Sequence, residues 1–208
     1  YYDGILKVKE LITKNKVGKI HSVRCVLGHG GRPGMEKEWK LDKKLCGGGA
    51  LLDPGIHVID LTRFLFGEIQ KGFLVQQNAF WKTNVEDNVM LFLETQETEL
   101  TINISITEWE SLFRLEIFGE DGAIYFSGRS NNYGSQKIRF VKRWFWDQNS
   151  QDEIWEFSNN ENSFLNELTD FCNVIEGGES DKLATPQDGY RAIEIIENLY
   201  NSPNRFIS

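Results

Sequence analysis

An α+β fold is predicted, an open and predominantly antiparallel β-sheet with helices packed on one face, and three features of the chain predict it. Apolar residues recur at helical spacing near both ends and once in between; from Gly72 to Phe157 the period changes to two; short, turn-rich connections separate the successive runs. Short connections favour antiparallel neighbours. A sheet that buries one face under helices gives the two-layer arrangement.

Gly4 to Lys14 carries Ile5, Leu6, Val8, Leu11 and Ile12 at helical spacing and reads as an amphipathic helix. Gly18 ends the connection, and Lys19 to Leu27 alternates around Val23, Cys25 and Leu27 well enough to be a strand. Gly28 to Lys44 is a glycine-rich and locally basic loop, with Arg32, Lys37, Lys40, Lys43 and Lys44 set against Glu36, Glu38 and Asp42. An arginine among flexible glycines can meet a carboxylate or phosphate in bidentate fashion, which makes Arg32 a candidate for substrate binding. A solvated surface loop accounts for the same residues equally well.

The stretch Gly47 to Asp60, GGGALLDPGIHVID, opens with three glycines and carries Asp53 and His57 four residues apart. On a helix those positions lie one turn apart on one face. A carboxylate and an imidazole so placed can relay a proton near neutral pH, which makes them a candidate acid/base pair. The alternative is plain helix-start chemistry, Asp53 as N-cap and Pro54 in the first turn, followed by core packing. Ile56, Ile59, Leu61, Phe64 and Leu65 then form a broad apolar stripe, and Gly67 stops the helix. Asp60 either pairs with Arg63 at one edge or orients the His57 ring.

Five strands are predicted next, Phe73 to Val75, Asn88 to Glu94, Leu100 to Ile106, Leu112 to Phe118 and Ala123 to Phe126. Apolar residues on both phases of several strands predict that the second sheet face is an assembly surface of at least a dimer. Lys137 to Trp146 reads as a further strand or two, with the aromatic run Trp144-Phe145-Trp146 packed on the sheet. Asn162-Ser163 opens a helix bearing Phe164, Leu165, Leu168, Phe171, Cys172 and Ile175, closed by Gly177-Gly178. Thr185-Pro186 opens the last one, with Ala192, Ile193, Ile196 and Leu199 at core spacing. Both helices read as structural, and no linker divides the chain.

With 208 residues, 40% hydrophobic and 26% charged, the chain suffices for one sizeable core. A net charge of -8 argues against a general nucleic-acid binder, and no apolar run approaches the roughly 20 residues of a membrane span. Cys25, Cys46 and Cys172 are widely spaced, as befits buried, reduced thiols of a cytoplasmic protein. His21, His29 and His57 are dispersed, and no metal site is implied. The run Gly28-His29-Gly30-Gly31-Arg32-Pro33-Gly34 misses the G-x-G-x-x-G spacing of a dinucleotide fingerprint. The chain begins Tyr-Tyr-Asp, without an initiator methionine or a targeting segment, and is expected to be a piece of a longer protein.

The run GGGALLDPGIHVIDLTRFLFGE, Gly47 to Glu68, resembles the signature of the C-terminal domain of the Gfo/Idh/MocA family of NAD(P)-dependent sugar and inositol oxidoreductases. The likeness extends from YYDGILKVKELITKNKVGKI through VEDNVMLFLE and LEIFGEDGAIYF to TPQDGYRAIEIIENLYNS, and so covers nearly the whole chain.

The resemblance implies that residues 1–208 form a substrate-binding and oligomerisation domain. A Rossmann domain would precede it, holding NAD or NADP and supplying a catalytic lysine, so that the fragment alone would be inactive. Asp53 and His57 match the family's D-x-x-x-H pair beside the nicotinamide, His57 as general acid/base and Asp53 holding its tautomer or a neighbouring hydroxyl. Trp39-Lys40 look like the family's aromatic-basic pair at the substrate, Trp39 stacking on a sugar face and Lys40 holding a hydroxyl or an acidic group. The expected substrate is a sugar, sugar nucleotide or cyclic polyol, and the basic loop leans it towards an acidic or nucleotide-linked sugar. Family members often oligomerise through the open sheet face. The alternative is a sugar-binding or dimerising module that kept the fold without the chemistry.

Overall fold

Alternating burial carries the period-two stretch into one sheet. The computed structural model describes residues 1–146, 149–158 and 162–202. Among them the strands are Ile20–Gly28 (β1), Ile69–Gln77 (β2), Asn88–Thr95 (β3), Glu99–Ser105 (β4), Leu112–Gly119 (β5), Gly122–Ser127 (β6), Lys137–Lys142 (β7) and Asp152–Glu156 (β8). They form an eight-stranded sheet in the order β2-β3-β4-β1-β5-β6-β7-β8. β1 and β4 run parallel at its centre, and the other neighbours are antiparallel. The α+β expectation holds.

Register explains the core. Val23, Cys25 and Leu27 of β1 stand opposite Leu100, Ile102 and Ile104 on β4 and opposite Ile117, Leu115 and Phe113 on β5, and all of these are buried. Leu91 and Val89 continue the row onto β3, Ile124 and Ile138 onto β6 and β7. Each such side chain contributes about 1.5–3 kcal/mol on full burial.

Helix Asp3–Thr13 (α1) lays Ile5, Val8 and Leu11 on the β6–β7 side of this face. Helix Gly55–Phe66 (α3) buries Val58, Ile59 and Leu65 and packs against helix Pro186–Asn201 (α5), which also reaches β2. α5 opens on a capping box between Thr185 and Asp188 with Pro186 in its first turn, as the Thr-Pro start predicts, and it buries Ile195 rather than the expected Ile193. Gly67 ends α3 with φ of 87°, as expected of a C-terminal glycine. A short helix, Lys43–Cys46 (α2), precedes it.

Four expectations need correcting. Helix Ser163–Ile175 (α4) forms where its pattern places it, yet none of its residues is buried: Phe164, Leu165, Leu168, Phe171 and Ile175 are all exposed. An amphipathic period specifies an apolar face without naming what covers it. The Trp144-Phe145-Trp146 run lies beyond the end of β7 and is exposed, with Trp146 at 95%, so it does not pack on the sheet. The last strand instead comes from Asp152–Glu156. All three cysteines are free; Cys25 is buried and its thiol is pushed up to about 12 by burial, but Cys46 is half-buried and Cys172 is exposed on α4.

The outer sheet face is a mosaic. Met90, Phe92 and Ile154 are exposed, while Glu116, Arg24, Phe118, Tyr125, Arg139 and Asp152 form a continuous chain of ion pairs, ring contacts and guanidinium stacking across it. No helix among the described residues is long and apolar enough to cross a membrane.

Truncating Ile104, which is 0% exposed between Leu27 and Val89, is expected to cost about 2–5 kcal/mol in urea unfolding as Ile104→Ala. Ile154→Ala, on the open face, should stay within about 0.5 kcal/mol.

Candidate functional site

The turn that presents Asp53 and His57 is built on a buried carboxylate. Glu86 accepts hydrogen bonds from the backbone N–H of Gly49 (3.1 Å) and Leu51 (3.0 Å) and from the Tyr200 hydroxyl (2.7 Å). Its carbonyl accepts from the Ala50 N–H at 2.9 Å. The approach is so close that a Cβ on Gly49 would collide with the Glu86 backbone, which is the reason for a glycine there. Burial, with the Glu86 carboxylate beside it, holds the Tyr200 hydroxyl far above the usual phenol range.

From this anchor the chain makes a wide turn. Leu52 and Asp53 donate to the Gly49 carbonyl, and Gly55 donates to Ala50 at 2.9 Å, a spacing of five residues instead of the α-helical four. The N-cap is therefore Pro54, and Asp53 sits one residue before it with its side chain free of capping duty. The expected N-cap role of Asp53 is thus not realised. Its carboxylate instead meets the Lys40 ammonium, with both oxygens at 3.2 Å.

His57 stands on the first turn of α3 at the rim of a cleft of about 490 Å³. The cleft lies between the start of α1, the outer side of α3 and the segment joining α4 to α5. The imidazole is open to solvent on the cleft side and has no hydrogen-bond partner among the described residues. Crowding by protein on its other side, helped by the Arg129 guanidinium, pushes its pKa below the ordinary imidazole range, while Asp53 and Asp60 pull the other way. A neutral ring at neutral pH can accept a proton. Asp60 lies 4.0 Å from Arg63, but Arg63 is held chiefly by Glu68 and Asp188.

Sequence spacing gave no hint of three further residues. His29, just after β1, is also depressed by burial; Asp53 raises it, whereas Lys40 and Arg32 lower it, which places it in the same electrostatic neighbourhood. The Gly31 N–H donates to its Nδ1 at 3.0 Å, leaving Nε2 to act as a donor. Arg129 lies against the Tyr2 and Tyr133 rings and reaches the cleft. Glu86 is the third. For His29, a histidine in a glycine-rich loop directly after a strand was the available signal, and Glu86 lies within the VEDNVMLFLE run that shares the family likeness; Arg129 offered none.

The structure brings Lys40 and Asp53 together and places His57 one turn on. It does not bring Arg32 to them as a free fork: Arg32 donates to both Glu38 oxygens, at 2.8 and 2.7 Å. Two of its N–H groups are taken up by Glu38 in an exposed ion pair, with which an acidic substrate at that loop would compete. Trp39 is 61% exposed on the short 3₁₀ turn Trp39–Leu41. No group of three or more metal-ligating side chains converges among the described residues.

A family model described as the GFO/IDH/MocA C-terminal domain matches residues 5–125. No curated protein matches the chain in sequence. Among solved structures, the chain is similar to aldose-aldose oxidoreductase from Caulobacter crescentus, complexed with glycerol, at 19% identity and a TM-score of 0.78, over 98% of this chain and 60% of that one. It is similar to an oxidoreductase from Agrobacterium radiobacter in complex with NAD+, L-tartaric acid and magnesium, at 17% identity and a TM-score of 0.76, over 100% and 62%. It is also similar to levoglucosan dehydrogenase in complex with NADH and levoglucosan, at 20% identity and a TM-score of 0.74, over 96% and 61%. At these identities the likeness is one of fold, and the chain spans about three fifths of the length of each.

Because His29 and His57 have folded pKa values below their unfolded ones, the unfolded chain binds protons more readily as pH falls through about 6.5. Stability is then fully present above that value and declines below it. Urea unfolding between about pH 7 and pH 5 should show this decline, and the double variant His29→Gln, His57→Gln should flatten it. Lys40→Met should raise both imidazole pKa values in an NMR titration, and Asp53→Asn should lower both.

Proposed function

The chain belongs to the GFO/IDH/MocA family, and from that premise we propose that it is the substrate-binding and proton-transferring part of a nicotinamide-dependent oxidoreductase that acts on a sugar, sugar nucleotide or cyclic polyol hydroxyl. The observation that carries this is the His57 imidazole, neutral, unpartnered among the described residues and set at a cleft rim one helical turn from the Asp53–Lys40 pair.

The chain's own residues do not fit a dinucleotide. The Gly28–Gly34 loop runs into a 3₁₀ turn, Met35–Lys37, rather than the helix N-terminus on which a pyrophosphate would rest. NAD or NADP would be held by a separate Rossmann domain and would supply the hydride acceptor. Oxidising a carbinol removes a hydride and a proton, and the proton is what these residues handle. His57 accepts it from the hydroxyl. Asp53 steadies the positive ring through space, and Lys40, shared between Asp53 and solvent, can turn to a substrate hydroxyl. Trp39 offers a ring face and Arg32 the outer edge of the loop.

Two exposed faces support the proposed partners. The bare apolar stripe of α4 is joined to the start of α1 through the Tyr1 hydroxyl, which donates to Asp170 at 2.6 Å, so it suits a domain packed beside both. Met90, Phe92 and Ile154 on the outer sheet suit a second copy. The alternative, a sugar-binding or dimerising module without hydride transfer, draws on the Lys40–Asp53 pair, which ties the carboxylate down.

In the polypeptide that carries both this chain and a dinucleotide domain, His57→Ala is expected to lower kcat by about 10²-fold or more. A kcat within about threefold of the parent would overturn the acid/base role and favour the alternative. Light scattering at micromolar concentration should give a dimer or larger, and Phe92→Glu should dissociate it; a stable parent monomer would remove the sheet-face assembly.

A further inference from the structure

Phe80 and Trp109 are 50% and 66% exposed, and hydrogen bonds and ring contacts tie down the segment that carries Phe80. Asp87, 0% exposed, accepts from the backbone N–H groups of Ala79 (2.7 Å), Phe80 (2.7 Å) and Trp81 (2.9 Å). The Trp81 indole N–H donates to the Ile106 carbonyl at 2.8 Å, which fixes the ring under its neighbours. Phe80 meets Trp81 edge-on at 5.2 Å and Trp109 edge-on at 4.7 Å. Trp109 adopts φ of 23°, a backbone region that favours glycine. Asp87 so fixes a turn whose Trp81 packs against the core while Phe80 stays exposed, and since an exposed ring gains little for folding, the faces of Phe80 and Trp109 are left to a ligand.

The surroundings decide which ligand. The Gly28–Gly31 loop lies flat against these rings: a Cβ on Gly31 would come 2.6 Å from Trp81, one on Gly30 3.0 Å from the Trp109 backbone. His29, in the middle of that loop, accepts at its carbonyl from the Glu108 N–H at 3.2 Å, so the rings adjoin the residue that shares its field with Asp53 and Lys40. Glu108 and Glu110 flank Trp109, and neither side chain has a cationic or hydrogen-bonding partner among the described residues. Aromatic faces edged by free carboxylate acceptors suit a ring with apolar C–H faces and outward hydroxyl donors, and they repel an anion.

The geometry points to a subsite in which Trp109 stacks on the apolar face of an uncharged pyranose, with Phe80 edge-on to the indole beside it, while Glu108 and Glu110 accept from its hydroxyls. This deepens the function proposed above by naming the substrate class as neutral sugar, and it rests on that reading for its place beside the acid/base residues.

The test titrates the 208-residue chain with methyl β-D-glucopyranoside, methyl β-D-galactopyranoside and, as the charged counterpart, methyl β-D-glucuronide, following the indole N–H resonances by NMR. At least one neutral pyranoside should shift the Trp109 signal saturably in the millimolar range, with the glucuronide bound about tenfold more weakly. Trp109→Ala should weaken binding by about tenfold and Trp109→Phe should restore part of it, with affinity then read from the sugar signals. Phe80→Leu serves as the second variant if Trp109→Ala fails to fold. Glu108→Gln with Glu110→Gln should erase the discrimination against the glucuronide. The subsite is overturned by the absence of a saturable shift with both neutral pyranosides, by unchanged binding in Trp109→Ala or Phe80→Leu, by a glucuronide that binds as tightly, or by Trp109→Ala turning a dimer into a monomer. The subsite is read from pyranoside binding by the parent chain and the acid/base role from kcat of His57→Ala in the polypeptide with a dinucleotide domain, so the two readings fail separately.

Discussion

Two adjacent buried acids organise the site. Glu86 and Asp87 precede β3, and successive side chains along an extended backbone point to opposite sides. Glu86 therefore gathers the Gly49–Leu51 turn and the α5 hydroxyl of Tyr200, while Asp87 gathers the Ala79–Trp81 turn. One acid fixes the helix start that carries Asp53 and His57; the other fixes the aromatic rings. A desolvated carboxylate is costly unless charge-assisted hydrogen bonds surround it, and each of these has three distinct donor groups. Removing Glu86 would leave the Gly49 and Leu51 N–H groups buried without that acceptor, a loss of about 1–3 kcal/mol for each group, whereas the part-buried N–H groups that Asp87 serves could turn to water.

The fold was largely legible because its information is local. Alternation at Val89, Leu91 and Leu93 assigns a face without any knowledge of the partner strand, and Gly67 terminates α3 by its own backbone freedom. What escaped is relational. Asp53-Pro54 reads as a cap and first turn, but the Gly55-to-Ala50 hydrogen bond widens the turn and moves the helix start on by one residue. The stripe on α4 predicts a helix correctly and its burial wrongly, since a pattern of apolar residues is silent about whether its covering surface is present.

The site divides in the same way. Asp53 and His57 stand out because they are neighbours on one short stretch. His29, Glu86 and Arg129 join them only through tertiary contacts, across β1, the start of β3 and the loop after β6, so no spacing rule could collect them. Arg32 differs in the opposite sense: its residue type and loop suit anion binding, and a neighbour six positions away, Glu38, meets it in an exposed ion pair.

The parallel pairing of β1 with β4 sets an order of assembly. β1 emerges from the ribosome before β2 to β5, yet both strands that flank it, β4 and β5, follow β2 and β3 in the chain. The β2–β3–β4 meander can close from local contacts, whereas its docking onto β1 must bridge distant sequence and is correspondingly slow. Until then Val23, Cys25 and Leu27 stand uncovered on a strand with two open edges. The Cys25 thiol, whose pKa burial pushes up to about 12, reaches that unreactive state only when both flanking strands have closed over it.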